Sequence, residues 1–165
     1  SCAAQCGRSA AEALLEDYRS ALRSALRARY VDRNDADSLC NSGQALLRLG
    51  RLSEASKAFC EAWLQSPGSV LAPFDLALAD LQRGDFKNGW ALYRFRWFLT
   101  DPKSGLTLHP YVSTSRAEYV LGISTGVVLV WGEQGVGDEI MFGTMLEEFG
   151  RLSGCEVLVQ ADRRL

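Results

Sequence analysis

The sequence predicts a mostly α-helical chain of stacked helical hairpins, followed by one βαβ unit that opens a doubly wound parallel sheet without completing it. Three observations carry this. Residues 36–69 and 70–103 superpose at an offset of 34 residues, with their glycine and small-residue positions falling together. Residues 10–30 repeat apolar side chains at helical spacing. Residues 127–141, VVLVWGEQGVGDEIM, run from four apolar residues through a Gly-rich turn into an apolar-patterned helix. Such a junction places chemistry at the carboxyl end of a parallel strand.

In chain order, residues 1–35 hold an N-terminal helix that reads as a degenerate repeat or a cap. The helix is predicted over 10–30, with Leu14, Tyr18, Leu22, Ala25 and Leu26 on one stripe. Glu12, Glu16 and Asp17 lie early and Arg23, Arg27 and Arg29 late, which suits the helix dipole. Arg19, Arg23 and Arg27 form a basic row, read as a solvated face with anion binding as the alternative. Residues 36–102 hold two repeats. Each is a helix, a turn at Gly50 or Gly84, and a second helix, with Ser53 and Asp85 as expected N-caps. Pro67 and Pro102 fall where the second helices should end. Ala55 and Gly89 let the paired helices approach closely, and the rings of Phe59 and Tyr93 fill the space beside them. Trp90 and Trp97 are expected on one helix, packing against a neighbour rather than forming a sugar platform. Arg94 and Arg96 flank them, with salt-bridging expected.

Residues 103–126, rich in Gly, Pro and Ser, read as a connector, and the isolated His109 within it as incidental. Residues 127–165 hold the βαβ unit. Val127–Trp131 is expected as a buried strand. A helix over 138–152 follows, with Ile140, Met141, Met145, Leu146, Phe149 and Leu152 on its apolar side, and Gly154 ends it. Glu156–Gln160 is the second strand.

Composition sets bounds. The chain has 165 residues, 47% hydrophobic and 23% charged, enough for a packed core. A net charge of −2 gives no pull toward nucleic acid, and no apolar run is long enough to span a bilayer. Residues 1–6 lack the basic start and apolar core of a signal peptide. They also lack an initiator Met, so the chain is expected to begin mid-protein or after processing. The five cysteines, Cys2, Cys6, Cys40, Cys60 and Cys155, are odd in number and contain no C-x-x-C pair. With a single histidine, neither a metal site nor a cofactor is expected, and a reducing cytoplasmic setting is. Cys40 and Cys60 read as small buried apolar residues.

The loop 132–138 offers three glycines for tight turns and close approach of a ligand, and a helix N-terminus that suits an anion. Asp138 at that N-terminus either caps the helix or takes a proton from an acceptor hydroxyl. A Walker loop is excluded because no lysine follows the last glycine, and the dinucleotide fingerprint because Ile140 stands where its third glycine belongs.

The first repeat resembles the tetratricopeptide repeat at Leu39, Gly43, Leu46, Gly50, Leu52, Ala55, Phe59, Ala62 and Pro67. The second departs from it at Pro73, Asp80 and Gly89. The resemblance implies a concave groove made by the first helices, where a peptide partner would meet Asp37, Cys40, Asn41, Gln44 and Arg48 of one unit and Phe74, Leu78 and Gln82 of the next. Trp131 to Phe142, WGEQGVGDEIMF, looks like the W-G-E-Q-G-x-G-D-x-I-x-F motif of bacterial tetratricopeptide-repeat proteins with a heptosyltransferase-like domain of two Rossmann-like halves, the GT-B fold. Gly89-Trp90-x-x-Tyr93-x-x-Arg96-Trp97 matches their last repeat helix. By that resemblance Asp138 is the base and Gly135 and Gly137 lie at the substrate, while Glu133 and Gln134 either bind substrate hydroxyls or hold the loop. The nucleotide-sugar donor is held by a second half that lies in a longer protein, so the chain by itself is expected to be inactive. Gly143-Thr144 depart from the aromatic and basic residues usual at that point. An incomplete sheet also leaves an edge through which a second copy would pair.

Overall fold

The 34-residue repeat folds as two helical hairpins, preceded by a third that the apolar pattern did not separate. The computed structural model of the chain describes residues 1–99, 126–132, 136–161 and 163. The chain divides into two compact units, Ser1–Pro110 and Tyr111–Leu165.

The first unit runs α1 (Cys2–Leu14), α2 (Tyr18–Val31), α3 (Ala36–Arg48), α4 (Leu52–Gln65), α5 (Leu71–Arg83) and α6 (Phe86–Tyr93), and ends in a 3-10 turn at Arg94–Phe98. The single helix expected over 10–30 is thus two helices. The break lies at Leu15–Asp17, where Glu16 takes a left-handed φ of 60° and the Asp17 carboxylate accepts from the Ser20 N–H to start α2. The stripe breaks with it: Leu22 and Ala25 are buried, while Leu14 and Leu26 are exposed.

Within each hairpin the two helices pack together. α2 then lies on α3 and α4 on α5, and the first helices also meet, α1 with α3 and α3 with α5. Alanine lines these crossings. Ala21, Ala45, Ala55, Ala58 and Ala79 join Leu22, Leu46, Phe59 and Leu76 in one core cluster, and Leu39, Ala62 and Ala72 form a second. Ala55 and Gly89 are buried, as their repeat positions require. A Cβ at Gly89 would stand 2.7 Å from Leu81 Cγ. The Phe59 ring, wholly buried, lies on Gly43, where an added Cβ would come within 2.6 Å of it. Buried serines satisfy themselves locally: Ser9 Oγ donates to the Ala21 carbonyl at 2.8 Å and Ser24 Oγ to Glu12 at 2.7 Å, tying α1 to α2.

The hairpin turns use Gly50 and Gly84 at φ of 74° and 87°, a region that L side chains enter only with strain. Asp85 caps α6 through the Asn88 N–H. Ser53 does not cap α4: Arg51 occupies that position, and Ser53 lies inside the helix. Pro67 follows α4, which ends at Gln65. Pro102 and His109 lie outside the described residues. The helix expected to carry both Trp90 and Trp97 tightens into the 3-10 turn after Tyr93, so the two indoles belong to different elements.

In the second unit, β1 (Val127–Trp131) pairs in parallel with β2 (Glu156–Gln160), Val127 opposite Glu156 and Trp131 opposite Gln160. The helix expected over 138–152 is two, α7 (Val136–Gly143) and α8 (Leu146–Ser153). Gly143 is a poor helix former, and the Thr144 hydroxyl donates back to the Met141 carbonyl at 2.8 Å, which ends α7 there. Gly154 ends α8 in a left-handed conformation, φ 67°, as expected. β1 is not buried. Its residues alternate between exposed and half-buried, with Val127 and Leu129 more than half exposed. Of the expected apolar side, Ile140, Met141, Met145 and Leu152 are exposed as well, while Leu146 and Phe149 are half-buried. Among the described residues, no helix is long and apolar enough to cross a membrane.

Candidate functional site

The groove residues belong to α3 and α5, two first helices that touch. Gln44 and Arg48 on α3 and Gln82 on α5 are exposed, while Asn41, Phe74 and Leu78 are half-buried. The arrangement is one of polar arms over an apolar floor. Two of the arms are engaged within the chain. The Asn41 amide donates to the Cys6 carbonyl of α1 at 3.4 Å, and the Gln44 amide donates to Asp75 of α5 at 3.1 Å. Phe74 packs against Tyr93 with ring centroids 5.8 Å apart, so the floor continues onto α6. Tyr93 in turn stacks with Arg96, whose guanidinium lies 4.7 Å from the Tyr93 ring and 4.8 Å from the Trp97 ring. Arg96 is thus held by two aromatic faces, a contact the expectation of a salt bridge did not include.

α5 carries two buried carboxylates, Asp75 bonded to Gln44 of α3 and Asp80 bonded to Ser56 of α4. Asp80, at a position apolar in most such repeats, accepts from Ser56 at 2.9 Å and from Arg83 at 3.1 Å. Asp75 is 6% exposed, and burial pushes its carboxyl above the usual range, opposed by the Gln44 hydrogen bond. A carboxyl raised on folding favours the native state when protonated and costs stability once pH rises through its folded value. Asp75→Asn is therefore expected to raise the melting temperature near neutral pH. That gain should fade as pH falls into the ordinary carboxylate range. Thermal melts from about pH 8 to about pH 3 check this; a variant less stable throughout would show that the charged bond to Gln44 outweighs burial.

The basic row is divided. Arg19 and Arg23 line a shallow cleft of about 660 Å³ with Asp17, Ser20, Leu22, Leu49 and Arg51, and Arg27 is not part of it. Arg23 donates to Ser20, and Arg51 makes a bidentate pair with Glu54.

At the strand–helix junction, the Gly132 N–H donates to the Gln160 carbonyl at 3.1 Å, carrying the ladder one residue past β1. A Cβ at Gly132 would collide with the Glu139 carboxylate, so glycine is needed for Glu139 to lie there. α7 begins at Val136, which places Asp138 in the first helical turn beside Glu139 rather than at the cap. Asp138 is half-exposed and Gly137 exposed. Glu133, Gln134 and Gly135 lie outside the described residues.

One cluster escaped the sequence. Cys2 and Cys6 are four apart on α1, and the corner between α2 and α3 brings Asp35 to them. The ligand atoms of the three all lie within 4.8 Å of one another. Cys6 Sγ donates to Asp35 at 3.2 Å, and the same carboxylate caps α3 through the Ser38 N–H at 2.8 Å. Burial, then the Asp35 hydrogen bond, push the Cys6 thiol up to about 12, and the same two causes raise Cys2. Burial pushes the Asp35 carboxyl up, but its hydrogen bonds from Cys6, Ser38 and Cys2 outweigh it and hold it low. The apolar pattern predicts a helix only from residue 10, so neither the pairing of the two thiols on α1 nor their meeting with Asp35 is legible in the sequence. Cys40 is half-buried and Cys60 exposed, against the expectation that both are buried.

Compared with known protein families, the chain matches none. It is 34% identical over 137 residues to Protein FlbA of Caulobacter vibrioides, covering 76% of this chain. The chain spans 21% of that relative's length. Among solved structures it resembles MamA, a tetratricopeptide-like protein, at a TM-score of 0.54 and 19% identity, over 58% of this chain and 56% of that one. A second structure, of MamA AMB-1, gives 0.52 and 17%, over 58% and 52%. These likenesses show a tetratricopeptide-like helical-repeat fold.

Proposed function

We propose that the stacked hairpins are a protein-binding scaffold that takes an extended peptide along α3 and α5. The observation that carries this is the mixed surface the two helices present. Gln44, Arg48 and Gln82 are exposed hydrogen-bonding arms, and Phe74 and Leu78 form a half-buried apolar floor between them. Asn41 adds an amide whose 3.4 Å bond to Cys6 is long enough to be exchanged for a peptide carbonyl. Repeat scaffolds of this kind use such a surface for partners because stacking leaves it open along its whole length. The fold shared with MamA supports the scaffold.

Peptides selected from a displayed random library on the chain test this. Phe74→Ala is expected to weaken a selected peptide about tenfold or more, as loss of a central aromatic anchor does. Gln44→Ala should weaken it less, and Lys57→Ala, at an exposed position on α4, should leave it unchanged. Peptides insensitive to Phe74 and Gln44 but sensitive to Lys57 would place binding on another face.

A second reading belongs to the βαβ unit, and the position of Asp138 favours it: a half-exposed carboxylate in the first turn of α7, just past the carboxyl end of a parallel strand. In this reading the repeats support a sugar-transfer domain in a longer protein. Asp138 takes the proton of an acceptor hydroxyl, Glu133, Gln134, Gly135 and Gly137 line the acceptor, and a nucleotide-sugar donor binds to the remainder. Pairing of a second copy along the sheet edge is part of the same proposal, since Val127, Leu129, Leu158 and Val159 are exposed apolar strand residues.

A further inference from the structure

We propose that Cys2, Cys6 and Asp35 form a binding site for a thiophilic divalent cation, zinc above all, that clamps α1 to the start of α3. Three features lead there. The i, i+4 spacing on α1 puts both thiols on one helix face. Asp35 presents its carboxylate to them while anchored by the Ser38 N–H, so one donor is fixed before any ion arrives. All three residues are half-buried, sheltered but open to entry.

The donor set suits zinc, which takes thiolate and carboxylate ligands in a tetrahedron at about 2.3 Å to sulfur and about 2.0–2.2 Å to oxygen, leaving the fourth position to water. The present separations, up to 4.8 Å, are wider than that shell and close by rotation of the two cysteine side chains. Binding balances as an exchange of protons for metal: the dication, two thiols and one carboxylate give a dithiolate–carboxylate complex of net charge −1 and two released protons. Of the two thiol protons, that of Cys6 now lies in the hydrogen bond to Asp35, and that of Cys2 is donated to the Ala28 carbonyl at 3.7 Å, a weak bond that metal binding would replace. A disulfide fits the site less well. Residues four apart on a helix hold their Cβ atoms about 5–6 Å apart, whereas a disulfide needs about 3.5–4.5 Å, so forming one would unwind the first turn of α1.

Cobalt(II) titrated into the full reduced chain is the test. The expected result is a sulfur-to-cobalt charge-transfer band at one equivalent, reversed by zinc. Its apparent affinity should rise by up to about 100-fold per pH unit, because two protons leave. Cys2→Ser and Cys6→Ser should abolish the band, and the combined Cys40→Ser, Cys60→Ser, Cys155→Ser variant should keep it. Asp35→Asn retains a capping oxygen for α3, so the fold survives and affinity falls about tenfold or more. No band in the reduced wild type, or a band that persists without Cys2 and Cys6, would overturn the proposal. So would an Asp35→Asn variant that is folded by circular dichroism and binds with unchanged affinity.

Discussion

Phe59→Ala should destabilise the helical unit by about 3–5 kcal/mol, the usual cost of emptying a fully buried aromatic site. A domain of this size has about 5–15 kcal/mol to lose, so the variant is expected to be partly unfolded at moderate temperature. Phe59 is wholly buried in the main core cluster, with its ring on Gly43. Removing it leaves a void that the helices are poorly able to close, because α3 and α4 already meet through Ala45, Ala55 and Ala58, which have no length to extend into it. The complementary variant, Gly43→Ala, places a methyl 2.6–2.9 Å from three ring carbons and should cost about 1–3 kcal/mol through overpacking. The two are coupled. In a Phe59→Leu background the same Gly43→Ala change should cost clearly less, since the smaller side chain yields the space. Denaturant melts of the wild type, Gly43→Ala, Phe59→Leu and their double variant measure the coupling, and a melt of Phe59→Ala measures the cavity cost. Strictly additive costs would place the ring away from Gly43, and a Phe59→Ala variant with an unchanged midpoint would remove Phe59 from the core.

The repeats were legible because their geometry is written in single residue types. Close helix approach demands Gly43, Ala55 and Gly89, and left-handed turns demand Gly50 and Gly84, so a 34-residue offset of small residues implies stacked hairpins. Helix breaks that rest on weaker chemistry were not legible. Nothing in the apolar spacing of 10–30 marks the stop at Glu16, because Leu14 and Leu26 continue the period while facing solvent. The tightening after Tyr93 is similar: its aromatic run fits a helical stripe, but Arg96 stacks between Tyr93 and Trp97 in a 3-10 turn instead. In the βαβ unit the strands fall where the apolar runs place them, while burial does not follow. A continuous run reports that a strand expects cover on both faces, not that the described residues supply it. For the candidate sites, the resemblance to tetratricopeptide repeats implied the groove, and residue type left Asp138 as cap or base until the motif resemblance implied a base. The hydrogen bonds that occupy Asn41 and Gln44, and the meeting of Asp35 with two thiols, depend on which helices adjoin and are absent from any local pattern.

On the proposed second reading, in which the βαβ unit opens a sugar-transfer domain, Asp138→Asn made in a protein carrying both halves of that domain should lower turnover by about 100- to 10,000-fold, the worth of a positioned general base. The expectation follows from placement. Asp138 lies in the first turn of α7, where the helix dipole favours a carboxylate, and it is half-exposed. Because α7 starts at Val136, Asp138 is not its cap, so the helix does not depend on this side chain for its first hydrogen bond. Asn keeps the size and polarity of the residue but cannot accept a proton at neutral pH. A role confined to helix stability would therefore leave turnover nearly normal and shift the melting temperature instead. Donor affinity should stay close to that of the wild type, since loss of a base acts on the transition state and not on ground-state binding. The neighbouring Glu139 provides the control. Its carboxylate lies against Gly132, so Glu139→Gln should perturb the loop and raise KM more than it lowers kcat. If Asp138→Asn retains near-normal turnover while Glu139→Gln loses it, the base is Glu139; if neither matters, the junction is structural and the protein-binding scaffold is the function that stands.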